Sequence, residues 1–338
     1  MVLRALKIAG LLIMILSLFY GCFTEESTKP KSTGRTNELL FVTDSKEQWK
    51  GPIGDTLRAF FGAEIEGLPQ PEPSFDFLNI AAADFTNLYQ KFHNIIIIGI
   101  DAKQVEPTVE SVENIWSQPQ GIIKVIAPSE ESFFTIFNAQ KESWLRLINR
   151  MEIARTNQNF KMAMDTKLSE AIVRKFGFYL GIPGGFMIAK EDENTLWLRH
   201  RIVKAKQQVE LGILIYIRPY NDTANFKQEQ ILWRRNEVTA KFVEGPSPGS
   251  FMVVADEVIK PVSRLALDFP VEYAVETRGL WEVMNDFMGG AFISYTFVDE
   301  KTNNLVTLDG FIYNPNDQKR TYLRQLQAIF YSLELQNK

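Results

Sequence analysis

A chain with one cysteine and two histidines has few routes to covalent or metal chemistry, and Cys22, His93 and His200 are those three residues. Internal disulfides and cysteine-rich zinc sites are excluded, and so is a site built on three histidines. Carboxylate sites for calcium or magnesium stay open in principle, but no acidic ligand spacing of that kind occurs. A serine–histidine–acid site needs a base within hydrogen-bond reach of its nucleophile. His93 precedes an apolar run, His200 lies in the alternating stretch Leu196-Trp-Leu-Arg-His-Arg201, and there is no Gly-x-Ser-x-Gly turn. Paired carboxylates could act on glycans. Asp299, Glu300 and Asp309 flank one expected hairpin, and Glu191, Asp192 and Glu193 lie at the turn of another. Acids at hairpin ends are first of all turn formers, so a carboxylate-dependent hydrolase ranks last among the readings.

Binding is better served by the composition. The 338 residues include 25 Phe, 10 Tyr and 6 Trp, and Trp and Arg dominate interface hot spots. Trp233-Arg234-Arg235 is therefore the candidate interface, with Trp281, expected on a short helix, as a second anchor. Gly184-Gly185 and Gly289-Gly290 are read as positive-φ positions at strand entries. The net charge is −4, which offers no concentrated basic surface for nucleic acid. No cofactor and no metal site is expected.

These residues must be placed by a body that begins well inside the chain. A basic start with Arg4 and Lys7 leads into the apolar run Ile8 to Gly21, and Cys22 follows. Fourteen residues give roughly 21 Å of helix, short of the about 30 Å of a bilayer core and suited to a signal peptide. The end of the run resembles a lipobox, with Gly21 before the cut and Cys22 as the lipidated residue. Residues 1–21 are thus the expected leader and 22–36 a lipidated cysteine with a polar, flexible tether.

From Asn37 onward strand-like and helix-like runs alternate. Leu39 to Val42, Asn94 to Ile100, Gly121 to Ile126 and Leu211 to Ile217 read as buried strands. Ser45-Lys-Glu-Gln48 is a capping box opening a helix through Phe61, and Ser129 caps a long helix with Phe133, Phe137, Trp144, Ile148 and Met151 as its stripe. Leu68-Pro-Gln-Pro-Glu-Pro73 is a stiff extended connector, and a last helix from about Asp317 buries Leu323, Leu326, Phe330 and Leu333. The expected class is α+β, in two units over 37–160 and 161–338. Each would be an antiparallel sheet with helices packed on one face. Gly184-Gly-Phe and Gly289-Gly-Ala-Phe, each followed by strand, acidic turn and strand, suggest a loose internal duplication.

Trp49-Lys-Gly-Pro-Ile-Gly54, Leu68 to Phe75, His93-Asn-Ile-Ile-Ile97, Gly289-Gly-Ala-Phe292, Asp309-Gly-Phe311 and Lys319 to Leu326 together resemble the domain-of-unknown-function family 4837 of Bacteroidota lipoproteins. The resemblance implies a lipid anchor and an envelope address, with Glu25 and Glu26 similar to a surface-export signal, and it carries no catalytic residue. Asp222-Thr223-Ala224 and Asp55-Thr56-Leu57 resemble an O-glycosylation acceptor of that group; Asp55 falls in the first helix, so Thr223, in a loop, is the candidate. The expected function is a non-enzymatic outer-membrane lipoprotein, periplasmic or surface-facing, held by its lipid and serving as a binding or scaffold subunit with envelope protein partners. A receptor for a glycan or small ligand is the alternative.

Overall fold

The computed structural model describes residues 29–204, 207–257 and 259–335; Cys22 and the leader lie outside them. The first unit runs β1 (Glu38–Thr43), α1 (Lys46–Lys50), α2 (Pro52–Phe61), β2 (Asp76–Ala81), α3 (Asn87–Gln90), β3 (Asn94–Ile100), β4 (Thr108–Glu113), β5 (Gly121–Ala127) and the long α4 (Glu130–Lys161). Its sheet has the order β2-β1-β3-β5-β4. The pairs β1–β2, β1–β3 and β3–β5 are parallel, and only the edge strand β4 is antiparallel. The antiparallel sheet expected here is therefore corrected. The reason lies in the connections: helical segments between β1 and β2, and between β2 and β3, return the chain in the same direction, as parallel pairing requires. Such strands are buried on both faces. Leu39, Phe41, Ile96 and Ile98 meet α2 and α4, while Leu40, Val42, Ile95 and Ile122 meet Phe92.

Local chemistry sets the helix ends. Ser45 Oγ accepts from Gln48 N at 3.2 Å, as the capping box predicts. One continuous helix through Phe61 does not form. Pro52 disfavours helical backbone at Gly51, which is extended, and restarts the chain as α2. Ser129 caps α4, whose buried residues include the whole expected stripe. The chain ahead of β1 is also tied down: Lys31 bridges Gln118, Thr33 bridges Phe92, and Arg155 Nη2 donates to Gly34 O. Residues 31–34 of the expected tether are thus part of the folded body, because His93, Lys91 and Arg155 supply partners for their backbone.

The second unit runs α5 (Thr166–Phe176), β6 (Phe178–Tyr179), β7 (Met187–Glu191), β8 (Thr195–Lys204), β9 (Gln207–Pro219), α6 (Gln228–Phe242), β10 (Met252–Ala255), β11 (Val262–Leu265), β12 (Ala274–Val283), β13 (Gly289–Asp299), β14 (Asn304–Tyr313), α7 (Arg320–Phe330) and β15 (Glu334–Leu335). Its eight-stranded sheet has the order β10-β12-β13-β14-β9-β8-β7, with β11 paired to β12. The pairing is antiparallel throughout, and with the first unit it makes the chain α+β, as expected.

Helices cover both faces of this sheet, which corrects the one-face arrangement. Ile213, Ile215, Ile293, Tyr295 and Leu308 pack under α5 and α7, and Leu214, Tyr216, Trp281, Phe292 and Phe311 pack under α6. The central strands carry apolar side chains at successive positions, so each face needs a cover. The two glycine-led hairpins also belong to this single sheet, so they are not the marks of two duplicated sheets. Trp281 is corrected from a helix to β12, where it pairs with Gly290 and is 2% exposed.

The two units are joined through α7. Glu72, in the proline-rich connector and 2% exposed, accepts from Lys319 N at 2.7 Å and Arg320 N at 2.8 Å. A carboxylate from the first unit thereby caps the first turn of a helix in the second, where free N–H groups and the helix dipole favour negative charge. Arg320 Nη2 pairs with Asp76 at 2.6 Å, and Leu68 inserts into the core of the second unit. Replacing Glu72 by Ala leaves two buried N–H donors without acceptors, so it should destabilise the protein by about 2–4 kcal/mol. Equilibrium urea unfolding monitored by tryptophan fluorescence measures it; a loss under about 0.5 kcal/mol, the level of a neutral surface change, would contradict the role given to Glu72.

Candidate ligand-binding site

The residues with catalytic types are each committed to local structure. His93 is buried, with Nδ1 2.7 Å from Thr33 O and Nε2 2.5 Å from Glu152 Oε1. Burial would raise the Glu152 carboxyl, but His93 and Arg324 together with the Asn37 N–H hold it below its usual range. His200 packs against Phe186 with the rings tilted by 57° and their centroids 5.1 Å apart, and partial burial lowers its pKa. Asp309 is not beside Asp299. It is buried beneath α6, where Arg235 Nε donates to it at 2.8 Å and the same guanidinium lies 3.9 Å over Phe292. Burial raises the Asp309 carboxyl in spite of Arg235. Asp192 accepts from Asn194 N and pairs with Lys241 at 2.6 Å, and Glu191 pairs with Lys175 at 3.1 Å. Those acids serve turns and ion pairs.

The expected interface trio is split by its helix. Trp233 is 60% exposed, but Arg234 and Arg235 are 7% and 0% exposed, so only Trp233 can reach a partner. The arginines follow it on α6 and turn toward the sheet. The two glycine pairs differ as well. Gly185 has φ +100°, as expected, whereas Gly290 is required for space: a Cβ there would stand 2.0 Å from Ile312 O and 2.9 Å from Trp281 Nε1.

A cavity of about 1400 Å³ opens where the ends of β9 and β13 meet the starts of β12 and β14. Thr223, Asp299 and Glu300 line it, three residues singled out separately in the sequence. Tyr220, Phe226 and Tyr273 form its aromatic wall, with Phe226 and Tyr273 edge to face at 4.9 Å and Tyr220 6.1 Å from Phe226. Tyr273 is 52% exposed. Glu272, Lys301 and Asn303 add polar groups. Asp299 supports the rim, accepting from Lys301 N at 3.1 Å and Thr302 Oγ1 at 2.7 Å, so the turn already uses it. Asn303 binds the start of the Tyr220 loop through Tyr220 N and O. The aromatic wall was missed in the sequence, where Phe226 and Tyr273 stand apart in two unrelated loops. Rings beside carboxylates and amides suit a polar ligand with apolar faces, as a sugar has.

A second polar cluster braces β11 and β12. Glu276 is met by Arg264 Nη2 at 2.8 Å, Arg278 Nε at 2.8 Å and Tyr295 Oη at 2.6 Å. Burial alone would raise the Glu276 carboxyl, but Arg278, Arg264 and Tyr295 pull it down to about 2. A carboxyl depressed on folding stabilises the protein above its unfolded value and loses that contribution as pH falls toward the folded one. The Glu276→Gln variant should therefore be less stable by about 3 kcal/mol at pH 7. The gap between variant and parent should close as pH falls from 4.5 toward 2. Urea unfolding across that range checks it, and a gap that did not change with pH would refute the assignment.

Comparison with known proteins divides the chain near the same place as its two sheets. Residues 32–161 match the model of a domain of unknown function, DUF8532, and residues 165–332 match another, DUF4837. Of the strings that carry the resemblance, those before residue 100 fall in the first match and those after it in the second. No curated protein matches. Among solved structures, the Ran-binding protein Mog1p of Saccharomyces cerevisiae aligns at TM-score 0.31 and 8% identity, over 47% of this chain and 92% of that one. A Mog1 point mutant aligns at 0.29 and 7%, over 47% and 90%. Through residues 165–332, the chain belongs to the domain-of-unknown-function family DUF4837.

Proposed function

We propose that this chain is a non-enzymatic binding protein of the bacterial envelope, lipidated at Cys22, that takes a glycan or another small polar ligand into the cavity at the end of the eight-stranded sheet. The aromatic wall of that cavity carries the reading. Three rings face an open volume together with carboxylate, amide and hydroxyl groups, whereas His93, Glu191, Asp192 and Asp309 are used in turns and ion pairs. The basic start, apolar run and Cys22 support the anchor. From Cys22 to Lys29 the chain can span at most about 25 Å, so a lipid on the cysteine would keep the first unit close to the bilayer.

A protein partner is the second reading, favoured by Trp233 at 60% exposure on α6. Pull-down of the native lipoprotein from detergent extracts should then return the same companion in parent and Tyr273→Ala samples, and lose it with Trp233→Ala.

Two measurements test the main reading separately. Replacing Cys22 by Ser should abolish radiolabelled palmitate uptake and move the protein out of the membrane fraction; unchanged labelling would exclude the anchor. The full-length protein on a glycan array should bind a defined set of glycans. Tyr273→Ala should weaken that binding at least tenfold, in line with the loss of about 1.4 kcal/mol or more, while leaving the unfolding midpoint near the parent value because the ring is half exposed. An array without any specific signal would count against the cavity as a glycan site.

A further inference from the structure

Another cavity lies in the seam between the units. It encloses about 610 Å³, walled by α2 and α4 on one side and by β11, β12 and α7 on the other. Its floor holds an arginine, Arg324, whose side-chain hydrogen bonds go to neutral partners. Arg324 is 8% exposed, donating Nε to Asn37 Oδ1 at 2.9 Å and Nη2 to Asn149 Oδ1 at 2.8 Å. Both acceptors are uncharged amides, and among the described residues no carboxylate forms an ion pair with it. Burial depresses its pKa, which marks the cost of keeping a cation there.

The surrounding carboxylates are already committed. Glu152 acts on Arg324 from a distance, but its oxygens accept from Asn37 N at 3.1 Å and Asn94 Nδ2 at 2.9 Å and face His93. Glu276 is shared between Arg278 and Arg264, and the latter also reaches Glu66 at 3.4 Å. Arg146 lies one turn before Asn149 on α4 and lines the same cavity. The remaining acids of the lining, Glu64, Glu142 and Asp268, are exposed at the rim. Arginines thus line the cavity from the buried Arg324 through the half-buried Arg278 to the exposed Arg146 and Arg150, while these three acids stay at its rim.

We propose that this floor binds a small ligand bearing an oxyanion, a phosphate or a carboxylate, held by Arg324 with Arg278 and Arg146. A guanidinium offers five donors in a planar fork, and Arg324 commits two of them to amides, which leaves donors suited to such an oxyanion. Arg146 and Asn149 belong to the first unit and Arg278 and Arg324 to the second, so an anion seated there ties the units together. The site is separate from the aromatic cavity and does not depend on a glycan binding there.

Isothermal titration of the full-length protein in detergent with inorganic phosphate, and in parallel with citrate, tests the proposal at constant ionic strength. At least one probe should give saturable binding to the parent protein. Arg146→Ala, at an exposed position, should weaken it severalfold, and Arg324→Gln at least tenfold. Arg174→Ala, on the outer face of α5, and Tyr273→Ala, in the other cavity, should leave it unchanged. If Arg324→Gln fails to fold, Arg146→Ala with Arg324→Lys carries the test. Absence of saturable binding for both probes, or equal affinity in parent and Arg146→Ala, would overturn it.

Discussion

Glu72 reaches out of a proline-rich connector to cap a helix whose sequence begins 248 residues later, and much of the molecule depends on that contact. A first helical turn presents N–H groups that no earlier residue can satisfy, and the start of α7 is buried, so water is a poor substitute. The acceptor has to come from the other unit. Alternate prolines keep the connector extended, which delivers the carboxylate at low entropic cost because the chain had little freedom to lose. Once α7 is set, Leu323, Leu326 and Phe330 close one face of the eight-stranded sheet, and Arg320 and Arg324 point back at the first unit. One carboxylate thus orients a core and a seam together.

The buried charges follow the same economy of partners. Arg235 and Asp309 lie between α6 and the sheet, both fully enclosed, and Phe292 stacks on the guanidinium. Such a pair adds little net stability compared with apolar residues of the same volume, while the loss of one partner costs about 3–5 kcal/mol. Its effect is therefore on specificity: α6 can sit over β14 in only the register that brings Arg235 to Asp309. Glu276 does the same for β11 and β12, holding Arg264 and Arg278 on one carboxylate. Arg324 differs from both, because its protein partners are neutral, and that difference is what separates a structural cation from one open to a ligand.

What was legible in the sequence was local. β1, β3 and β9 announced themselves as apolar runs, α4 by Ser129 and its stripe from Phe133 to Met151, and α7 by the spacing of Leu323, Leu326 and Phe330. Strand direction was not legible, because an apolar run such as Ile95 to Ile98 looks alike in parallel and antiparallel sheets; the helical connections around it held the answer. The second helical cover was readable in principle, since Ile213, Leu214, Ile215 and Tyr216 cannot all face one side. Trp281 was misplaced because its partner Gly290 and its ring neighbour Phe311 come later in the chain. In the aromatic cavity the acids and Thr223 stood out by type, but Tyr220, Phe226 and Tyr273 become a wall only when the sheet brings three loops to one end. Glu72 left a weak trace, a single acid among prolines in an otherwise apolar and neutral string.

Covering both faces of both sheets has a further consequence for where ligands can bind. The faces are filled, by α2, α4 and the Phe92 segment in one unit and by α5, α6 and α7 in the other. Concave surface then remains at strand ends and along the seam. The two cavities occupy those positions: one where β9, β12, β13 and β14 end or begin, the other between α4 and α7. Their chemistry differs with their walls. Loops at a strand end carry turn-forming acids and exposed rings, since nothing packs on them. The seam carries arginines, because α7 must present cations toward α4 and the connector in order to dock. A polar ligand with apolar faces suits the first and an oxyanion the second, and each assignment follows from what the fold had to place there for its own assembly.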